Sequence, residues 1–371
     1  MTEIILPKLK PVIQFNRIND KVYFKKAGGA LEMDDATGFM SALCERLLEG
    51  RKTMAELGNE LAGRYPEEVQ YLHQAITTLD EAYLLEDGAS QITADLTPYD
   101  LERWSRNTEF FGAYCRAKMN KYAGQLRLKT IRVGLLGLGG LGSHLLYDLV
   151  ALGVQDIRAV DFDRIELSNL NRQVLYNEED IGQLKTEMAA KRIQGFNQQA
   201  KVEFVNKKIA SSQDIEALVH DREIVICVAD KPKKDMLNWL NTACVKHGVT
   251  FMNGGVDINR AVLSTVIPGH TGCVECWKHS VEANNPLANT LLQRETPADS
   301  PIAPDPAVVT FVSLLTGLLL TEFLKLSSKI AEPRSPGKLL SFDFDSFQLQ
   351  EAESWQRNPG CPVCASTGVN G

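Results

Sequence analysis

Three features of the sequence predict an α/β chain built on a doubly wound parallel sheet, with a small winged-helix-like domain in front of it. From residue 130 onward, β-rich runs alternate with helical patterns: "TIRVGLLG", "DIRAVDFD", "KVEFVNK", "EIVICVAD" and "VTFMNGGV". That rhythm calls for crossover helices and a sheet covered on both faces. The first run ends in "GLGGLG", residues 137–142, directly before the apolar-faced "SHLLYDLVALG". A strand, a glycine turn and a helix in that order bring a phosphate close to free backbone N–H groups. The first 95 residues differ, placing short strands first and three helices after them.

In that leading segment, "PVIQFNRI", "KVYFKK" and "GALEMD" read as strands divided by the turn signals Asn19-Asp20 and Gly28-Gly29. "DATGFMSALCERLLEG" carries Phe39, Leu43 and Leu47 at helical spacing and stops at Gly50. "TMAELGNELAGRY" opens with Thr53 and has Glu56 three residues on, a capping-box pattern. "PEEVQYLHQAITTLDEAYLLED" places Pro66 at a helix start, with a stripe through Val69, Leu72, Ile76 and Leu79. "SQITADLTP" reads as a linker, and "YDLERWSRNTEFFGAY" as a helical lead-in to the second domain. The expected domains are therefore 1–95 and 96–371, since 371 residues exceed what one small core organises.

Composition limits the function. A net charge of −7 disfavours a dedicated nucleic-acid binder, including a winged-helix regulator with a nucleotide-sensing body. The N-terminus lacks a basic stretch followed by a long apolar one, so a cytoplasmic protein without a secretion signal is expected. The longest apolar segment, 307–326, is interrupted by Thr310, Ser313, Thr316, Thr321 and Glu322, which predicts a buried helix and no membrane partner. In a reducing compartment, the pairs Cys273/Cys276 and Cys361/Cys364 read as metal ligands before disulfides. Two such knuckles make a closed tetrahedral site of four thiolates, suited to structural Zn2+. Lone Cys227 and Cys244 lie in apolar runs and read as core.

The glycine turn alone admits a nicotinamide dinucleotide, a flavin or ATP. Asp161, at the end of the next strand roughly 20 residues on, suits a ribose hydroxyl. The segment after that strand narrows the choice: "DFDRIELSNLNRQ" supplies Asp161, Asp163, Asn169, Arg172 and Gln173, and "IGQLKTE" supplies Lys185. A hydride-transferring dehydrogenase has no use for this Arg and Lys. ATP cleavage does, because charge develops on pyrophosphate and on the attacked phosphorus.

The block from Val133 to Lys185, with Asp230 and both cysteine pairs, resembles the ubiquitin-activating-enzyme superfamily, above all the bacterial thiamin- and molybdopterin-pathway adenylyltransferases. The resemblance implies a Rossmann-like adenylation domain that activates a carboxylate with ATP and Mg2+ on a homodimer, and a structural zinc. It implies that Gly137, Gly139, Gly140 and Gly142 line the ATP and that Asp161 holds the ribose. Arg172 and Lys185 then contact phosphates, with Asp163, Asn169 and Gln173 beside them. Asp230 organises Mg2+, and Arg106 reaches into the partner subunit's site. The stretch after the first knuckle, a crossover loop over about residues 279–306, holds no cysteine, so a thioester intermediate is not expected.

The N-terminal module resembles the precursor-peptide recognition domains of ribosomal peptide natural-product pathways, which bind a leader peptide as an added strand. Together the two parts resemble the enzymes maturing microcin C-type and pantocin-type peptide antibiotics. Lys231, Lys233 and Lys234 after Asp230 suit an acidic peptide, which favours activation of Glu side chains for condensation to a bicycle. The alternatives are AMP ligation at a C-terminal Asn and activation of a sulfur-carrier protein.

Overall fold

The computed structural model describes residues 4–26, 29–90, 92, 94–229, 231–232, 235–284 and 306–365. It divides into two compact units, Met1–Arg127 and Leu128–Gly371.

The first unit opens with strands β1 (Pro7–Leu9), β2 (Gln14–Ile18), β3 (Lys21–Lys26) and β4 (Gly29–Asp34). Three of these, β2, β3 and β4, form an antiparallel meander, turned at Asn19 with φ of +55°. Helices α1 (Phe39–Leu47), α2 (Met54–Ala62) and α3 (Leu72–Glu81) follow, then β5 (Leu85–Asp87), which pairs with β1. Thr53 and Glu56 make the expected capping box on α2. The third helix starts six residues later than Pro66 suggested, after a 3-10 turn at Val69–Tyr71. Val22, Phe24, Leu43, Leu47, Leu57 and Leu79 are fully buried between sheet and helices. Burial of these side chains is the main stabilising term for so small a unit.

The first unit continues past residue 95 through α4 (Pro98–Arg103), α5 (Ser105–Tyr114) and the start of α6 (Tyr122–Thr130). Buried Lys10 donates to the carbonyls of Tyr83 (2.6 Å) and Cys115 (2.7 Å). The Ala117 N–H donates to Asp80 at 2.6 Å, and Lys121 bridges Glu86 (3.0 Å) and Glu109 (2.9 Å). These polar ties draw residues 98–127 onto the N-terminal elements, so the division falls at 127 where composition suggested 95.

In the second unit the strands are β6 (Arg132–Leu136), β7 (Asp156–Asp161), β8 (Lys201–Asn206), β9 (Ile224–Cys227), β10 (Thr250–Val256), β11 (Arg260–Val266), β12 (Lys338–Asp343) and β13 (Gln348–Ser354). The helices are α7 (Gly140–Leu152), α8 (Lys185–Phe196), α9 (Ser212–Val219), α10 (Met236–His247), α11 (Val274–Asn284) and α12 (Val309–Ser328). The sheet order is β13-β12-β11-β10-β9-β6-β7-β8. Strands β8, β7, β6, β9 and β10 are parallel, as expected, whereas β11, β12 and β13 extend the sheet antiparallel. The sheet is therefore mixed, its five parallel strands being the runs read from the sequence and its three antiparallel strands additions to them. The chain winds from β6 out to β8, then returns to place β9 on the other side of β6. That reversal opens a crevice at the carboxyl ends of β6 and β9, where such sheets bind ligands.

Helix α12 is the apolar segment of the sequence, and by length and composition it could cross a membrane. Here Phe311, Val312, Leu315, Leu319 and Phe323 are buried, and the helix packs on α7, β10 and β11. Its buried Glu322 accepts from Lys325 (2.8 Å) and from the amides of Ser335 (2.7 Å) and Arg334. Burial pushes the Glu322 carboxyl up, but these partners outweigh it and hold the group below its ordinary range.

Candidate active site

At the crevice the chain leaves β6 through Gly137, whose φ is +98°. A Cβ there would lie 3.0 Å from the Ala229 backbone nitrogen, so both the turn and the close approach of the β9 loop require glycine. Gly142 serves differently from the expectation that it lines the nucleotide. It is buried and not among the cavity-lining residues, and a Cβ on it would stand 1.8 Å from the Gly137 carbonyl oxygen. Its role is to let α7 pack onto the turn.

The turn is clamped by groups that do not lie in it. Asp161 accepts the Leu138 N–H at 2.6 Å through one oxygen and the Asp163 N–H at 2.8 Å through the other. Buried Tyr176 donates its hydroxyl to the Leu138 carbonyl at 2.9 Å. Both polar groups of Leu138 are thereby fixed, which sets the direction of the amides of Gly139 and Gly140 at the start of α7. Burial, followed by the nearby carboxylate of Asp161, pushes the Tyr176 phenol far up, so it stays a donor. The Ser143 hydroxyl donates to the Gly140 carbonyl (2.9 Å) and accepts from Val174 N–H (3.3 Å), and His144 Nε2 meets the Arg172 carbonyl at 3.2 Å. The segment carrying Arg172 and Gln173 is thus anchored to α7.

A cavity of about 930 Å³ opens from this turn. Gly137, Gly139, Gly140, Asp161, Asp163, Asn169, Arg172, Gln173 and Lys185 all line it. So do cations that sequence reasoning did not assign, Arg164 and Lys207, together with Lys231. Lys185 opens α8 and is only 5% exposed, with its ammonium 3.0 Å from Asp163. Arg172 donates to Asn171 (2.8 Å) and to the Ser168 carbonyl (3.2 Å), while Asn169 is buried and accepts the Glu166 N–H at 3.2 Å. Gln173 is 4% exposed, and its side-chain oxygen has no partner among the described residues. A buried amide oxygen left unsatisfied costs about 1–3 kcal/mol, so a ligand donor in the cavity would relieve it. Glycine backbone, free helix-end amides and clustered cations fit a nucleoside polyphosphate.

Some expected residues stand apart. Asp230 lies outside the described residues, as do Lys233, Lys234 and most of the crossover loop. Arg106 is exposed on α5, in the first unit. No cysteine lines the cavity among the described residues; Cys227 and Cys244 are both buried in the core beside β9 and α10.

Four other cysteines come together. Cys273, Cys276, Cys361 and Cys364 are buried, with sulfurs within 4.8 Å of one another. Cys273 is 4.0 Å from Cys276 and 3.6 Å from Cys361, and Cys276 is 3.5 Å from Cys364. A tetrahedron with metal–sulfur bonds of about 2.3 Å has edges of about 3.8 Å, so the spacing fits one ion. Gly272 allows the close crossing: a Cβ there would meet the Gln356 carbonyl at 2.6 Å. Outside the thiolates, Asn358 N–H points at Cys276 (3.3 Å), Trp355 donates to the Gly272 carbonyl (3.0 Å), and Arg357 donates to the Cys364 carbonyl (2.6 Å). The site is closed, leaving no position for a substrate.

Comparison with known proteins agrees with this geometry. The ThiF family profile matches residues 114–363. The chain is 30% identical over 251 residues to the SAMP-activating enzyme E1 of Haloferax volcanii, covering 67% of this chain and 85% of that one. It is 28% identical over 273 residues to the molybdopterin-synthase adenylyltransferase of Escherichia coli, covering 73% and 99%. Among solved structures, E. coli MccB with AMPCPP and MccA superposes with a TM-score of 0.76 at 23% identity, covering 96% of this chain and 99% of that one. PaaA superposes at 0.73 with 20% identity, covering 94% and 100%. The chain belongs to the ThiF family and is an ATP-dependent adenylyltransferase.

Proposed function

We propose that this adenylyltransferase activates carboxylates of a ribosomally made precursor peptide during peptide antibiotic biosynthesis, with Glu side chains as the groups activated for condensation to a bicyclic core. The observation that carries the reading is the extent of the structural likeness. MccB, a microcin C7 biosynthetic enzyme solved with MccA, and PaaA coincide with this chain over nearly its whole length, the N-terminal unit included. The SAMP-activating enzyme and the molybdopterin-synthase adenylyltransferase match only 67% and 73% of it. In this reading the N-terminal unit takes the leader peptide as an added strand, since β2 and β4 each leave an unpaired edge among the described residues.

In the reaction, a carboxylate oxygen attacks the α-phosphorus of ATP, the bond to the bridging oxygen breaks, and pyrophosphate leaves with its electron pair. The amides of Gly139 and Gly140 and the cations of Arg172 and Lys185 hold the phosphates and meet the charge as it grows. Arg106 of the partner subunit acts there in a homodimer. Mg2+, when bound, neutralises phosphate oxygens, and Asp230 is the residue to hold it. The cysteine cluster holds a structural Zn2+. With no cysteine at the cavity among the described residues, the acyl adenylate is consumed by a nucleophile of the peptide itself.

The test offers the enzyme ATP and labelled pyrophosphate with three acyl donors: a Glu-rich peptide, a peptide ending in Asn, and a sulfur-carrier protein. The reading expects exchange into ATP with the Glu-rich peptide and loss of water from it by mass. An AMP adduct on the Asn peptide assigns the microcin C type instead, and exchange with the carrier alone overturns peptide activation.

A further inference from the structure

The Leu138 carbonyl and the Gly139 N–H belong to one peptide unit. That unit is planar and trans, so the two groups point in opposite directions. A group that holds the carbonyl therefore aims the N–H. Tyr176 holds it, its hydroxyl donating at 2.9 Å from a side chain that is 5% exposed. Gly139 lines the cavity, whereas Leu138 and Tyr176 do not. The hydroxyl thus acts from behind the turn. Burial, and after it the carboxylates of Asp161, Asp163 and Asp180, keep the phenol protonated, so its proton stays available to the carbonyl.

Tyr176 also stands in a closed circuit of polar contacts that begins and ends on α8. Lys185 Nζ lies 3.0 Å from Asp163, whose N–H donates to Asp161 at 2.8 Å, and Asp161 takes the Leu138 N–H at 2.6 Å. From the Leu138 carbonyl the circuit passes through Tyr176 to the next residue, Asn177, whose N–H donates to buried Asp180 at 2.9 Å. Asp180 accepts from Arg192 at 2.7 Å. Arg192 follows Lys185 by two turns on the same face of α8.

We propose that Tyr176 is a positioning residue for the nucleotide: its hydroxyl aims the Gly139 N–H at the phosphates of ATP, and the Asp180–Arg192 pair holds the segment that carries it. The proposal rests on the placing of those phosphates at the glycine turn. A preset N–H meets the phosphate without first being reoriented, so the hydroxyl acts on affinity for the polyphosphate and leaves the nucleoside end alone.

Tyr176→Phe keeps the aromatic ring and removes the donor. The full-length enzyme is measured for affinity toward ATP with Mg2+ and toward adenosine, both without peptide, beside a thermal melt. The expected result is ATP binding about three- to tenfold weaker and adenosine binding within about twofold of wild type, because adenosine has no phosphate for the Gly139 N–H to meet. Tyr176→4-aminophenylalanine returns an N–H donor to the same place and should recover most of the loss, which a packing defect would not allow. Arg192→Met should weaken ATP binding in the same direction. Combined with Tyr176→Phe it should add less than its separate effect, because both act on one circuit. Unchanged ATP affinity in Y176F overturns the proposal, as does an equal loss for adenosine or no recovery with the amine. Fully multiplicative losses in the double variant contradict the shared circuit. A wild type that binds adenosine as tightly as ATP contradicts the placing of the phosphates, and the proposal falls with it.

Discussion

Lys185→Met lowers pyrophosphate exchange about 10²–10³-fold while the melting temperature moves little. Lys185 is 5% exposed and projects into the cavity from the first turn of α8. In the proposed reaction, charge growing on pyrophosphate would be met there by a cation held out of water, where its field is least screened. Methionine keeps the length and packing of the stem. The partner left behind, Asp163, is half exposed and can be solvated, so no uncompensated buried charge is created. The loss therefore falls on kcat more than on folding. Asp230→Ala should abolish exchange altogether with metal content and fold unchanged. Steady-state exchange beside a thermal melt separates these effects, and near-normal exchange in either variant contradicts the assigned roles.

Cys361→Ser removes the metal and unfolds the second unit early, with its melting transition at least about 10 °C lower. Structural zinc in small domains contributes roughly 10–16 kcal/mol of apparent binding free energy that folding depends on. Here the four thiolates join the start of α11 to the segment after β13, two stretches with no strand pairing between them among the described residues. The cluster belongs to the same buried core as Val225, Leu240, Phe251 and Trp355. Loss of the ion leaves three thiols crowded in that core and frees the segment after β13. Metal analysis by mass spectrometry should give one zinc per wild-type chain and none for C361S, with chelator reproducing the shift. A metal-free wild type of equal stability contradicts a structural ion.

Legibility in the sequence tracks the range of each interaction. The glycine turn, β6 through β10 and the capping box at Thr53 and Glu56 are local patterns, and the structure has them where the sequence places them. The β1–β5 pair joins three-residue strands across most of the first unit, and no local period announces it. Strands β12 and β13, "KLLSFD" and "QLQEAES", are short and partly charged, so they do not stand out as the apolar parallel strands do.

At the site, the lining residues Arg172, Gln173 and Lys185 are legible as a motif, because the chemistry needs those types in that order. The clamp on Leu138 is not. Asp161 reads as a ribose ligand, yet both its oxygens also hold backbone N–H groups, and Tyr176 completes the clamp from 38 residues away. Glycine spacing likewise does not separate Gly142, which packs, from Gly137, Gly139 and Gly140, which line the cavity.

Every role assigned to the cavity depends on one step, in which a peptide carboxylate displaces pyrophosphate from the α-phosphorus of ATP. Incubating the enzyme with ATP and a peptide whose carboxylates carry ¹⁸O tests it most directly. When the acyl adenylate is consumed, one labelled oxygen stays on phosphorus, so the expected products are AMP heavier by one ¹⁸O and unlabelled pyrophosphate. ADP and phosphate as products, or AMP without label, would contradict it.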